Sequence, residues 1–123
     1  MKIEREQAEG KNLFTGYGEG YVEVNRKRHS ASLLVSGGRL VTDWPASSIA
    51  ELTADHIAAI VEFKPEVVLL GTGKAFQFAE PRLLATLYNA GIGVEVMDTP
   101  AACRTYNILL GEGRNVIAAL VID

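Results

Sequence analysis

Apolar and polar residues in the second half of the chain repeat the order strand, turn, helix, strand. Apolar runs occupy residues 67–70, 94–96 and 116–121, and helix-like segments open between them at Pro81 and Thr99. This order predicts a parallel sheet with helical crossovers, a βαβαβ half. Continuous apolar strands persist in water only when both faces are covered, so we predict all three runs as central, buried strands.

The first half has shorter runs that turns interrupt. Residues 13–24 carry aromatic and valine residues between glycines, a pattern that predicts strands broken by turns. Residues 29–36 form another run, and Gly37-Gly38 predicts a hairpin turn into residues 39–42. The first half therefore predicts an antiparallel β layer, and the whole chain an α/β fold.

One histidine and two aromatic residues have expected places in this fold. Thr53 predicts the N-cap of a helix over residues 54–61, with His56 on its polar, solvated side. Trp44 is expected to cover the core. Tyr88 is expected to face inward from the helix that follows Pro81.

Composition is that of an ordinary folded protein. The chain has 123 residues, of which 48% are apolar and 22% charged. We predict a flexible segment over residues 1–10 and a single domain over residues 11–123. A net charge of −3 gives no attraction to nucleic acid or to an anionic membrane, and the basic cluster at residues 26–29 is expected to be a solvated loop.

Cysteine usage and hydropathy predict a compartment. One cysteine forms no internal disulfide, and no apolar stretch approaches the length of a membrane span. Without a charged-then-apolar leader, a cytoplasmic protein with no membrane span is expected. No complete catalytic, metal or cofactor motif is found, so we predict no metal, no cofactor and no catalytic residues.

The turn after residues 67–70 has the most suggestive motif. Gly73-Lys74 would need a glycine at position 68 and a hydroxyl at position 75 to form a Walker phosphate loop, but Val68 and Ala75 stand there. What remains is a short turn at the carboxyl end of a parallel strand, where open α/β sheets place their ligands.

A second turn, at Asp98 and Thr99, repeats that position beside the next strand, with Thr99 as the expected capping hydroxyl. Because both turns follow parallel strands, we expect them to lie side by side and to form the main surface cleft. Cys103 stands near a helix N-terminus beside Arg104, features that lower a thiol pKa, although a buried small residue is the favoured interpretation. The candidate cleft residues are Gly71, Thr72, Gly73, Lys74, Asp98, Thr99, Cys103, Arg104 and Asn107.

Three blocks of the chain, residues 69–73, 91–99 and 101–109, together resemble a known family. It is the small domain of unknown function shared by bacterial and archaeal proteins, the adipogenesis-associated domain protein and mitochondrial complex I assembly factor 3. The resemblance implies a three-layer fold, in which helices and an N-terminal β layer cover a mixed central sheet. It also implies protein partners and no established enzymatic activity.

Two functions follow as hypotheses. The first is a non-catalytic protein-interaction or assembly-factor-like module with protein partners. The second is a small-molecule or anion-binding protein, possibly an enzyme, that uses the cleft from Gly71 to Lys74 and from Asp98 to Arg104. In the second case the helix N-terminus, Lys74 and Arg104 would attract an anion, whereas an Asp98 carboxylate that occupies the helix amides would make the turn a structural cap.

Overall fold

The computed structural model describes residues 10–123, which form two sheets and three helices. The predicted flexibility of residues 1–10 therefore falls almost wholly outside the described residues. In chain order the elements are β1 Phe14–Gly18, β2 Tyr21–Val24, β3 Lys27–His29, β4 Leu33–Ser36, β5 Leu40–Val41, a 3-10 turn Ile49–Glu51, α1 Ala54–Val61, β6 Val67–Gly71, α2 Pro81–Asn89, β7 Gly93–Met97, α3 Thr99–Gly111 and β8 Val116–Leu120.

The central sheet has five strands in the order β5-β4-β8-β6-β7. The pairs β8–β6 and β6–β7 are parallel, and β4 pairs with β8 and with β5 in the antiparallel sense. A separate sheet, β1-β2-β3, is antiparallel throughout. The predicted α/β fold, with a mixed central sheet, a parallel βαβαβ half and an antiparallel N-terminal layer, is confirmed.

Successive residues of each central strand point to opposite faces of the sheet, and each face has its own core. One face packs against α3 and against apolar residues of the three-stranded sheet, such as Phe14 and Val22. The other face packs against α1, α2 and the segment around Trp44. Helices and the second sheet thus cover the central sheet from both sides.

The predicted central position of residues 94–96 is wrong. Strands β6 and β8 are buried along their whole length, as predicted, but within residues 10–123 β7 has a paired neighbour on only one side. Val94 and Val96 are half-buried and Glu95 is exposed. The physical reason is that β8 takes the place on the far side of β6, so the βαβ crossover leaves β7 at the sheet edge.

The predicted strand over residues 29–36 divides between two sheets. Lys27–His29 is β3 of the three-stranded sheet, and Leu33–Ser36 is β4 of the central sheet. The basic cluster is therefore mostly strand rather than loop, and the turn before it is made by Asn25 and Arg26, both with positive φ. The Arg28 guanidinium lies 4.0 Å from the centre of the Tyr21 ring, a cation–π contact between β3 and β2.

Trp44 is buried, as expected, and His56 is half-buried and has structural contacts that the pattern did not predict. The Thr53 side chain accepts a hydrogen bond from the His56 backbone N–H, while His56 Nδ1 accepts one from the Thr53 backbone N–H, at 2.9 Å. The His56 ring meets Trp44 edge-on at 5.8 Å. His56 is therefore part of the N-terminal cap of α1 and of the cover over Trp44.

Helix α2 begins at Pro81, as predicted, but Tyr88 points outward. Leu87 is fully buried, whereas Tyr88 is 56% exposed. A helix that packs along one stripe buries only a narrow set of positions, and Leu87 fills that stripe here. Within residues 10–123, no helix combines the length and the apolar character that crossing a bilayer requires.

Candidate functional site

The turns that follow β6 and β7 lie side by side, as the sequence predicts. The backbone N–H of Thr72 donates to the Met97 carbonyl at 2.9 Å, and the N–H of Thr99 donates to the Gly73 carbonyl at 2.8 Å. The Gly73 N–H in turn donates to Thr99 Oγ1 at 2.9 Å. These hydrogen bonds join the two turns directly, so no open space separates them here.

Thr99 links three segments instead of capping α3, which corrects its predicted role. It is the first residue of the helix, and its hydroxyl donates to the Val121 carbonyl at 2.8 Å while it accepts from Gly73. Gly71 permits this approach, since a Cβ there would lie 2.8 Å from Thr99 Oγ1. Gly73 has a φ of +109°, and a Cβ on it would meet the Asp123 carboxylate at 2.5 Å.

Asp98 is the N-cap of α3. Its carboxylate accepts a hydrogen bond from the Ala101 N–H at 2.8 Å, and its carbonyl accepts from the Ala102 N–H at 3.0 Å. Pro100 has no N–H, and the Thr99 N–H is bound to the carbonyl of Gly73. Every backbone donor from position 99 to position 102 is thus absent or occupied, an arrangement that favours the structural cap over an anion site.

A shallow depression borders the joined turns on the side of the three-stranded sheet. It has a volume of about 30 Å³ open to water, roughly enough for one or two water molecules. Of the candidate residues only Gly73, Lys74 and Thr99 line it. Residues that the sequence analysis did not single out complete the lining, and they are Tyr17, Gly18, Gly20, Tyr21, Val22, Pro100, Val121, Ile122 and Asp123.

A second depression, of about 210 Å³, lies between β1 and α3. Three further candidate residues, Cys103, Arg104 and Asn107, line it with Phe14, Thr15, Gly16 and Tyr17. The predicted cleft is therefore divided between two depressions. Gly71 and Thr72 are buried and line neither one, and Asp98 lines neither because its carboxylate caps α3.

Tyr17 separates the two depressions and binds Arg104. The Arg104 guanidinium donates to the Tyr17 hydroxyl at 2.6 Å and lies 5.7 Å from the ring centre, and this contact raises the pKa of Arg104. Asn107 is also committed to structure. Its side-chain amide donates to the Phe14 carbonyl at 2.8 Å and accepts from the Phe14 N–H at 2.9 Å, so it holds β1 against α3.

The features near Cys103 that would lower a thiol pKa are outweighed by burial. Burial raises the pKa of Cys103 to about 12, and the neighbouring Arg104 charge offsets only part of that effect. The side chain is 1% exposed and belongs to the core under α3. Cys103 therefore behaves as the small buried residue that the sequence analysis favoured. Among residues 10–123, no group of three or more His, Cys, Asp or Glu side chains is placed to hold a metal ion.

The connection from β6 to α2 presents an exposed aromatic pair that the sequence analysis missed. Phe78 is 88% exposed and Phe76 is 48% exposed, with their rings edge to face at 4.9 Å. Buried Thr72 fixes the start of this connection, because its hydroxyl donates to the Ala75 carbonyl at 2.8 Å and accepts from the Gln77 N–H at 3.0 Å. Two phenylalanines at alternate positions in a connection outside any apolar run were the available signal.

This arrangement, a mixed sheet between two helices on one face and a helix with a small antiparallel sheet on the other, defines a class of small α/β domain. The chain belongs to the family described as "Protein of unknown function (DUF498/DUF598)", whose model matches residues 14–121. The predicted membership is confirmed, and the glycines and the Asp98-Thr99 turn that carried it are all hydrogen-bonded or closely packed in the fold.

Relatives and solved structures agree with this membership. Human NADH dehydrogenase [ubiquinone] 1 alpha subcomplex assembly factor 3 is 32% identical over 122 residues, which is 97% of this chain and 65% of the relative. The 13 kDa major membrane protein of Francisella tularensis is 25% identical over 98% of this chain and 99% of its own length. A crystal structure of a Bordetella parapertussis protein matches with a TM-score of 0.86 and 42% identity, over 92% of this chain and 97% of that one.

The matched part of the assembly factors is limited. The chain spans 45% of the bovine and 65% of the human assembly factor 3.

Proposed function

We propose that this chain is a non-catalytic protein-interaction module of the assembly-factor kind, which contacts a partner protein through Phe76 and Phe78. The observation that carries the proposal is the exposure of this aromatic pair on a connection that Thr72 holds in place. Aromatic side chains contribute much of the binding energy in protein interfaces.

The hydrogen bonds of Thr72 support this role beyond simple exposure. A loop that is already ordered loses less conformational entropy on binding than a mobile one, so more of the contact energy appears as affinity. Gln77 contributes as well, since its side-chain amide donates to the Thr72 carbonyl at 3.4 Å. The connection thus has a fixed shape before any partner arrives.

The relatives support the same proposal. Several matched proteins are named as assembly factors, and the match to the human one covers 97% of this chain. The role remains a proposal here, because the chain spans only part of those proteins. A cytoplasmic location and the absence of a cofactor also remain predictions.

Affinity capture from the source cells tests the proposal. The tagged protein and the double variant Phe76→Ser with Phe78→Ser are compared by quantitative mass spectrometry. The matched control is the double variant Tyr88→Ser with Ile108→Ser, which removes two large, exposed side chains elsewhere on the surface. A partner retained by the wild type and the control but lost by the Phe76 and Phe78 variant supports the proposal. Identical partner sets for all three proteins would refute it.

The binder hypothesis keeps one supporting observation, the depression beside Arg104 and Tyr17. Phosphate, sulfate and nucleotides titrated at low ionic strength test it through amide shifts at Tyr17 and Cys103 in that depression and at Thr72, Gly73, Ala101 and Ala102 in the two turns. Saturable shifts confined to these residues and abolished by Arg104→Ala would favour a binder. Because α3 already uses its first amides, flat titrations are expected.

A further inference from the structure

Among residues 10–123, nothing pairs with the backbone groups on the outer edge of β7, and these groups follow a defined pattern. The Gly93 N–H donates to the Glu66 carbonyl at 3.0 Å, and the Met97 carbonyl accepts from the Thr72 N–H. The backbone groups of Gly93 and Met97, at the two ends of β7, therefore point toward the side of β6. Because backbone direction alternates along a strand, the groups of Val94 and Val96 point away from β6, toward the outside of the sheet.

Among residues 10–123, no strand pairs with that side of β7. The opposite edge of the sheet is β5, which is only two residues long, whereas β7 pairs with β6 in unbroken register over five residues. Proteins usually shield long edges with a bulge, a proline or a charge. On β7 the one such feature is the exposed side chain of Glu95.

The two faces of this edge differ in character. Val94 and Val96 lie half-buried against the core that α2 covers, and Glu95 is exposed on the opposite face. A strand added beside β7 would place alternate residues over the apolar side. Its other residues would lie on the side of Glu95, directly opposite that carboxylate.

A second copy of the chain fits this edge poorly in the two-fold register that pairs the full length of β7. Antiparallel pairing around a two-fold axis, with Val94 of each copy bonded to Val96 of the other, places Glu95 directly opposite its own copy. Like charges at directly opposed positions destabilise a strand pair. A partner with a lysine or arginine at that position would instead make a favourable pair with Glu95.

We propose that β7 binds an extended segment of a partner protein by strand addition, with a basic residue of that segment opposite Glu95. Main-chain hydrogen bonds to Val94 and Val96 supply affinity, and the charge pair sets the register. The inference rests on the proposed interaction function and adds a second contact to it. The connection that carries Phe76 and Phe78 starts at Thr72, which is hydrogen-bonded to the last residue of β7, so one partner could contact both.

Selection from a displayed library of random peptides tests the inference. With the wild-type protein as bait, the expected winners alternate apolar and polar residues and carry a lysine or arginine. Glu95→Lys should weaken their binding by about five- to tenfold and shift a repeated selection to acidic peptides. The charge control Glu112→Lys changes an exposed carboxylate at the end of α3 and should leave their binding unchanged.

A backbone variant tests the hydrogen bonds. Val96→Pro removes one outward N–H, a change that edge strands tolerate, and should weaken the same peptides by about tenfold or more. Val96→Thr keeps the N–H and nearly the same shape, and serves as its matched control. If Val96→Pro does not fold by circular dichroism, the Glu95→Lys result decides alone.

Three outcomes would overturn the inference. The first is a selection without winners, and the second is a set of winners whose binding is unchanged by Glu95→Lys and Val96→Pro. The third is a wild-type dimer that Val96→Pro dissociates, because the strand added to β7 would then come from a second copy of the chain. Winners that depend only on Phe76 and Phe78 would refute strand addition and leave the proposed function standing. Winners that depend only on β7 would support strand addition and count against a contact through Phe76 and Phe78.

Discussion

Two connections start at the carboxyl ends of neighbouring strands of the central sheet, and they are built differently. From β7 the chain passes through Asp98 alone into α3, and the backbone donors at this junction are bound to Asp98 and Gly73. From β6 the chain takes nine residues to reach α2, and exposes Phe76 and Phe78 on the way. The first connection is anchored within the fold, and the second leaves apolar side chains exposed on the surface.

The two connections differ in how they use their side chains: one uses them for structure, and the other leaves them exposed. Open α/β sheets place ligands at the carboxyl ends of their strands, and both connections start there. Because Thr99 and Asp98 use the polar groups of the first connection for structure, little polar chemistry is left for a small ligand. The exposed surface of the second connection is aromatic, which suits a protein partner better than a substrate.

The largest expected effect concerns Cys103, a buried residue of α3, the helix that follows the anchored connection. With its pKa raised from 9.0 to about 12, the native thiol should have about a thousandfold smaller thiolate fraction than an ordinary cysteine at pH 8, and should react correspondingly slowly with an aromatic disulfide reagent. Labelling in denaturant is the control. A native rate equal to that of the unfolded chain would show that the α3 face is open to solvent.

The same pKa shift makes stability depend on pH. Below pH 9 both states hold the thiol proton, and above it the unfolded state loses that proton first, so the free energy of unfolding should fall as pH rises from about 9 to about 12. The slope should be smaller in Cys103→Ala.

Thr99→Val should give the largest loss of stability within the comparison. The change leaves the Gly73 N–H and the Val121 carbonyl without their buried partner, at a cost of about 2 to 4 kcal/mol. Urea denaturation measures it. Thr86→Val is the matched control, because that threonine is exposed, and its value should stay close to the wild type. Equal midpoints for Thr99→Val and the control would show that the Thr99 hydroxyl does not anchor the connection from β7 to α3.

Thr72→Val should cost less, about 1 to 2 kcal/mol, because water can reach the exposed residues Ala75 and Gln77 that its hydroxyl binds. The informative measurement is hydrogen exchange, which should become faster in residues 73–79 and remain unchanged in α3. Unchanged exchange in residues 73–79 would mean that Thr72 does not fix the connection.

Asp98→Ala should remove about 1 kcal/mol of stability through the loss of the α3 cap, and Asp98→Asn should retain most of it because an oxygen remains for the Ala101 N–H. Both values come from chemical denaturation. If Asp98→Ala instead stabilised the protein and allowed sulfate to bind, the turn would be an anion site.

The smallest effect on stability is expected for the double variant Phe76→Ser with Phe78→Ser, within about 0.5 kcal/mol, since both side chains are largely exposed. Thermal unfolding with calorimetry checks it. A large loss would mean that the pair supports the fold, and loss of a partner would then have a trivial cause.

Sequence reasoning predicted the parallel half well, because long apolar runs of β6 and β8 allow only buried strands. It misplaced β7, since the order of strands depends on where β8 inserts, and local pattern does not encode that order. The exposed Glu95 in the middle of the run was the available sign of an edge. The division of residues 29–36 between two sheets was hidden for the same reason.

At the candidate site, the adjacency of the two turns followed from topology, but the use of each side chain did not. The Thr99 hydroxyl binds residues 73 and 121, far away in sequence, and Asn107 binds Phe14. Such long-range hydrogen bonds leave no periodic signal. For Cys103 the charge of Arg104 was visible in the sequence, whereas the burial that outweighs it was not.

The position of β8 has a consequence for how the protein is made. Residues 116–120 form the middle strand of the central sheet, and they join the antiparallel pair β4–β5 to the parallel pair β6–β7. A growing chain on the ribosome cannot assemble this sheet until that segment has left the exit tunnel. Until then the edge of β6 that β8 occupies is unpaired, and an unpaired strand edge makes an incomplete chain prone to aggregation.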